Sequence, residues 1–188
     1  SGPSGAGKDA VLSRLRELGR PYHFTVTATT RPKRPAERHG VDYYFYTPDE
    51  FQAMKERGEF LESACVYGHW YGVPRSQVRE ALHRGRDVFI KIDVQGAATI
   101  KGLAPQAVFI FLAPPSLEEM VRRLRQRKTE AAGDMERRIQ TAQEEMQRLP
   151  MFDYVVANDN GRLDDAVAFI ESIVRAERCR IPPRVVRL

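Results

Sequence analysis

The sequence predicts an α/β protein in which a parallel sheet is covered by helices. Short apolar bursts alternate with helical patterns along the chain, the order expected when strands are joined by crossover helices. A glycine-rich loop opens directly onto an amphipathic helix, a junction on which nucleotide-binding α/β folds are built. At 188 residues the chain has the length of one compact domain, enough to bury a core without disulfides.

The first element is the loop. Gly2-Pro3-Ser4-Gly5-Ala6-Gly7-Lys8 fits the pattern GxxxxGK, and Val11, Leu12, Leu15 and Leu18 then fall on one side of a helix. Glycines let successive backbone N–H groups point into one concavity, the helix N-terminus adds partial positive charge, and Lys8 brings a full charge to the β and γ phosphates. These residues predict a nucleoside triphosphate seat. The pattern asks next for Ser or Thr to hold Mg²⁺, whereas here stands Asp9. Its carboxylate is a hard oxygen ligand that reaches Mg²⁺ directly or through water. It equally suits the first turn of a helix, and both readings stand. Because Ser1 already lies in the loop, the strand from which such a loop hangs is expected upstream of this chain.

Strands are predicted at Phe24 to Ala28, Tyr43 to Tyr46, Phe60 to Val66, Val88 to Asp93, Ala107 to Leu112 and Tyr154 to Ala157. Helices fill the gaps. Thr47-Pro48-Asp49-Glu50 supplies a capping hydroxyl, a first-turn Pro and a Glu three residues on, and the helix it starts stops at Gly58. Ser116 with Glu119 repeats the pattern, and Met135, Ile139, Ala142 and Met146 step at helical spacing through a second charged helix. Val167, Ile170 and Val174 mark the face of a last helix, after which Cys179 to Leu188, with Pro182 and Pro183, reads as a basic tail.

Composition excludes several classes. Cys65 and Cys179 form neither a disulfide framework nor a metal spacing, so a reducing, cytoplasmic setting is expected. Ala107 to Ala113, the longest apolar run, is far too short to span a bilayer, so no membrane partner is expected. A net charge of +5 without a basic stripe interleaved with aromatics speaks against nucleic acid. The basic residues are nonetheless mostly Arg, 24 of 30, whose fork of donors suits phosphate oxygens.

From Thr29 to Phe45, Arg31 and Arg34 sit three apart in a proline-stiffened loop that runs into an aromatic strand, an arrangement suited to a second phosphate. Taken with Gly58-Glu59-Phe60-Leu61-Glu62, Tyr71-Gly72, Ile92-Asp93-Val94-Gln95-Gly96-Ala97, Phe111 to Ser116 and Val156-Ala157-Asn158-Asp159, this chain closely resembles guanylate kinases from its first residue to about Arg175. The resemblance implies an α/β P-loop kinase with a parallel-sheet core, a GMP-binding lobe and a helical lid. Within a single domain over 1–188, it puts the core at 1–30, 81–115 and 148–175, the GMP lobe at 31–80, the lid at 116–147 and the tail at 176–188. It further implies the reaction ATP + GMP → ADP + GDP with Mg²⁺.

By the same resemblance Arg31, Arg34, Tyr43 and Tyr71 hold the GMP phosphate, with Glu37 bracing their loop. Thr27 meets guanine O6, and Glu62 and Asp93 read N1–H and the exocyclic amine. Arg123, Arg127 and Arg138 are lid arginines that close over the phosphates, and Asn158 contacts adenine. There is a physical sense to the carboxylates: guanine offers two adjacent N–H donors to one fork, while adenine leaves the acid unpaired, a difference of about 10³-fold. Without the resemblance, Glu62 is equally a surface acid at a strand end, and Arg123 with Arg127 equally a solvated helix face.

Two positions depart from the family besides Asp9. Val73 stands where Ser or Thr usually follows Tyr-Gly, removing a hydroxyl contact to the base. Lys91 stands where an acid is usual, two residues before Asp93, and the sequence leaves its partner open. Two alternatives remain at this point: a ribose 1,5-bisphosphate phosphokinase on the same scaffold, whose loop also ends Gly-Lys-Asp, and a guanylate-kinase-like binding module without catalysis.

Overall fold

The computed structural model describes residues 1–66, 68–126 and 132–188. In chain order it builds α1 (Lys8–Glu17), β1 (His23–Phe24), β2 (Ala28–Thr29), β3 (Tyr44–Phe45), α2 (Pro48–Glu56), β4 (Phe60–Val66) and β5 (His69–Pro74). There follow α3 (Arg75–His83), β6 (Val88–Phe89), α4 (Val94–Leu103), β7 (Ile110–Ala113) and α5 (Leu117–Gln126). The chain ends with α6 (Ala132–Gln147), a 3₁₀ turn at Leu149–Met151, β8 (Tyr154–Ala157) and α7 (Leu163–Arg178). The elements fall into two compact units, one of residues 1–19 and 104–187, the other essentially 20–103.

In the first unit β7 and β8 pair in parallel, Ile110 opposite Tyr154 through Ala113 opposite Ala157. Helix α1 packs on α7, and both bury apolar residues, Val11 and Leu15 from α1, Ala166, Val167 and Ile170 from α7. Met120 and Leu124 of α5 close with Ala142 and Ile139 of α6 into a separate small core, the face that the spacing of Ile139 and Ala142 predicts. Ser116 Oγ accepts from Glu119 N at 3.1 Å, so the expected cap of α5 forms. Helix α7 continues through Arg178, three residues into the stretch assigned to the tail. The tail itself is held by Arg184, whose Nε lies 3.0 Å from Glu177 Oε2 and whose Nη1 donates to Ala107 O at 3.3 Å.

The second unit holds a two-stranded parallel ladder, β1 with β6, and a four-stranded sheet in the order β3-β2-β5-β4. Phe24 to Ala28 is expected as one strand but forms two, because the chain changes sheets there: β1 pairs with β6, β2 with β3 and β5. Between them the Gln77 side chain replaces a ladder partner, accepting from Val26 N and donating to Val26 O, both at 3.1 Å. The parallel expectation holds for β1–β6, β2–β3 and β7–β8, whereas β2–β5 is antiparallel and β4–β5 is an antiparallel hairpin. Strand β5 escaped prediction because its Gly72 and Pro74 break a strand pattern. Its core is Ala28, Phe51 and Phe60, with Tyr44, Tyr46, Met54 and Trp70 against it. Thr47 and Glu50 form the expected reciprocal capping box at the start of α2, with Thr47 N donating to Glu50 Oε2 at 2.7 Å.

Candidate functional site

The phosphate loop belongs to the first unit. Ser1 runs beside β7, its N donating to Ile110 O and its O accepting from Leu112 N, both at 2.8 Å, so the loop leaves from the sheet. The loop turns into α1 through Gly7 at φ 91°, a left-handed conformation, and a β-carbon there would collide with Asn158 Nδ2. Lys8 folds back over the loop, with Nζ 2.6 Å from Gly2 O and 3.0 Å from Pro3 O. Asp9 follows on the exposed first turn of α1.

Asn158, one residue past β8, is 6% exposed, and its amide donates to Ala6 O at 2.7 Å. Its side chain therefore ties down the loop. Arg123 reaches the same place from α5: Nη2 donates to Asn158 O at 2.9 Å and to Asn160 Oδ1 at 2.8 Å, while Nε pairs with Glu119 Oε1 at 2.9 Å. Glu119 is held down to about 2, first by hydrogen bonding from Arg122 and then by Asn160, so it stays a carboxylate. Ser4 N donates to Glu145 Oε2 of α6 at 3.2 Å, putting an anion on one of the loop's N–H groups. Arg138 is half-buried on α6, and Arg127 lies outside the described residues. Asn160 and Glu145 had no signal in the sequence, and Glu119 showed only as a helix cap.

The second unit carries the other set. Arg31 Nη2 pairs with Glu37 Oε1 at 2.6 Å, both side chains being mostly buried, and Glu37 Oε2 accepts from Arg34 N at 2.8 Å. One carboxylate thus spans the loop, and its acidity is strengthened by Arg31 although burial opposes it. The Arg31 guanidinium lies 5.4 Å from the centre of the Tyr43 ring and 5.8 Å from that of Phe45, while the Arg34 side chain is exposed. Tyr43 and Tyr71 meet edge to face at 6.2 Å. Burial, with Tyr43 beside it, pushes the Tyr71 hydroxyl up, so it remains a neutral donor. Lys91 Nζ donates to Tyr43 Oη at 2.7 Å, which answers where this unexpected cation goes.

Glu62 projects from β4 at 6% exposure, opposite Val73 of β5. Burial, and then the charge of Asp93, pushes its carboxyl up to about 7. Asp93 Oδ1 accepts from Gly96 N at 2.8 Å at the start of α4. Thr27 is buried, as is Val73, which fills core space where a hydroxyl was expected. Glu62 and Asp93, though 31 positions apart, are thus brought within electrostatic reach of each other.

Among the described residues no cluster of three or more His, Cys, Asp or Glu could hold a metal by itself. Mg²⁺ does not require one, since it keeps several waters and takes one or two carboxylates along with substrate phosphates. An exposed Asp9 directly after the glycine loop fits that donor set.

A family model described as guanylate kinase matches residues 1–177. "Guanylate kinase 2, chloroplastic/mitochondrial" of Oryza sativa subsp. japonica is 49% identical, over 100% of this chain and 66% of the rice protein. The chain thus spans about two thirds of that relative's length. The guanylate kinase of Thermotoga maritima is 45% identical over 96% of this chain and 86% of its own. A crystal structure of guanylate kinase from Anaplasma phagocytophilum superposes with a TM-score of 0.77 at 32% identity, covering 92% of this chain and 82% of that one.

Proposed function

The chain belongs to the guanylate kinase family, and from that membership we propose that its residues carry out ATP + GMP → ADP + GDP in the following way. The loop from Gly2 to Lys8 seats the ATP phosphates on its N–H groups and the α1 N-terminus. Lys8, now satisfied by two loop carbonyls, exchanges them for phosphate oxygens, which carry more charge. Asn158 and Arg123 hold the loop in shape, and Arg123, Arg127 and Arg138 neutralise charge on the transferred group. Mg²⁺ would be held by Asp9, directly or through water, and when bound it spreads the charge of the β and γ oxygens.

For the acceptor, Arg31, Arg34, Tyr43 and Tyr71 take the GMP phosphate, with Arg31 held in place by Glu37. Thr27, Glu62 and Asp93 take guanine. Phosphoryl transfer asks little covalent help, so positioning and charge neutralisation supply the rate. GMP phosphate is already an anionic nucleophile, and no strong general base is assigned. The cytoplasm is the proposed compartment, on the two exposed thiols, Cys65 and Cys179. Among the described residues no helix is long and apolar enough to cross a membrane.

The observation that carries the choice of acceptor is the buried Glu62 carboxyl beside Asp93. Guanine's paired donors satisfy such a group; adenine and a sugar bisphosphate do not. A coupled assay of ADP release with GMP, AMP and ribose 1,5-bisphosphate is the test. Turnover with GMP at least about 10³-fold more efficient than with AMP is expected. Equal rates, preference for the sugar bisphosphate, or no turnover despite ATP binding would each overturn the proposal.

A further inference from the structure

Lys91 follows β6 and is half-buried, two residues before Asp93. Its ammonium stands 2.7 Å from Tyr43 Oη and 4.5 Å from the centre of the Tyr43 ring. An ammonium only donates, so at this contact the phenol oxygen is the acceptor. The phenol proton must then point elsewhere, and a hydroxyl whose oxygen already accepts from a cation is a stronger donor in that other direction.

The local charge leads to the same place. Arg31 is balanced by Glu37 at 2.6 Å, so this pair contributes orientation with little net charge. Lys91 brings its ammonium to the tyrosine that lies under Arg31. An acid at this position would differ by two units of charge and would accept the Tyr43 proton, turning the hydroxyl inward.

We propose that Lys91 is part of the acceptor-phosphate site: its ammonium aims the Tyr43 hydroxyl at the GMP phosphate and adds positive charge for that dianion. This rests on the assignment of Tyr43 and Arg31 to the GMP phosphate. Lys91 acts on the phosphate and has no part in reading the base.

The test compares GMP with guanosine, which share the base and differ by the phosphate. Dissociation constants for both are measured by calorimetry on the purified chain, with thermal unfolding as a check of folding. Lys91→Met and Lys91→Gln are each expected to weaken GMP about tenfold, the size of one lost charge-assisted contact, while guanosine stays within about twofold. Lys91→Arg is expected to restore most of the loss. Tyr43→Phe should shrink the effect of Lys91→Met, since the two act partly through one hydroxyl. Equal weakening of GMP and guanosine, or no weakening of either, overturns the proposal. If Tyr43→Phe and Arg31→Met leave GMP binding intact, the assignment of the phosphate site fails first; if they weaken it and Lys91→Met does not, only the role of Lys91 fails.

Discussion

Gly96 presents bare backbone to the carboxylate of Glu62: a β-carbon built on it would stand 2.8 Å from Glu62 Cδ and Oε1 and 3.0 Å from Oε2. The N–H of the same glycine donates to Asp93 Oδ1 at 2.8 Å. One residue therefore seats both carboxylates proposed to read guanine.

Gly96→Ala tests this directly. The methyl must displace the Glu62 carboxylate, and because that group is the end of a flexible side chain it can swing away, so the cost falls on where the carboxylate points more than on the fold. The expected result is a KM for GMP raised at least about tenfold with the KM for ATP unchanged, along with poorer discrimination against AMP. Adding Glu62→Asp, one methylene shorter, should recover part of the loss. A KM for GMP within twofold of the parent would count against the seat.

The Glu62 carboxyl, raised to about 7, predicts a pH dependence of acceptor binding. Guanine needs the ionised form as acceptor, so affinity for GMP should fall as pH drops below about 7, by up to about tenfold per unit. Without ligand the sign for stability runs the other way. An acid whose folded value is raised stabilises the fold below its ordinary value of 4.5, and that stability is lost as pH rises to about 7. Glu62→Gln should therefore gain on the parent by about 1–3 kcal/mol between pH 4.5 and 8 in urea unfolding. A difference that does not vary with pH would refute the assignment.

Asn158 ties Ala6 O to the strand end through its amide at 2.7 Å. Removing that amide in Asn158→Ala leaves a buried carbonyl short of a partner, a loss of about 1–3 kcal/mol, and loosens the turn at Gly7. ATP should bind more weakly while GMP binding holds. Asn158→Asp should do worse for ATP than alanine, because it sets an acceptor against an acceptor and adds negative charge near the phosphates. The order is read from ATP dissociation constants; alanine weaker than aspartate would contradict it.

Much of the architecture was legible because it is local. The capping box at Thr47, the Ser116 cap and the apolar face of Ile139 and Ala142 depend on residues three or four apart, and all three form as expected. The failures come where the chain leaves local rules. Phe24 to Ala28 looks like one strand by composition, yet Gln77, 51 positions from Val26, supplies the bonds that let it switch sheets. His69–Pro74 lacks a strand's signature and becomes one because β4 offers a partner along its length. The last helix ends at Arg178, so the tail begins at Cys179, where the residue pattern put it; the division at 176 began it three residues early, since nothing in Ala176 to Arg178 opposes the helix.

By itself the sequence determined the phosphate loop, its helix and the arginine loop, because glycine geometry, proline stiffness and fixed charge act within a few residues. It also singled out, by their types and order along the chain, the side chains proposed to carry the family's chemistry. Only the tertiary structure decided their partners. Lys91 finds Tyr43 across 48 positions, Ser4 finds Glu145 across 141, and Gly96 meets Glu62 through a gap that exists only once α4 packs on β4. Packing excludes water and brings such groups together, and neither effect leaves a trace in local spacing.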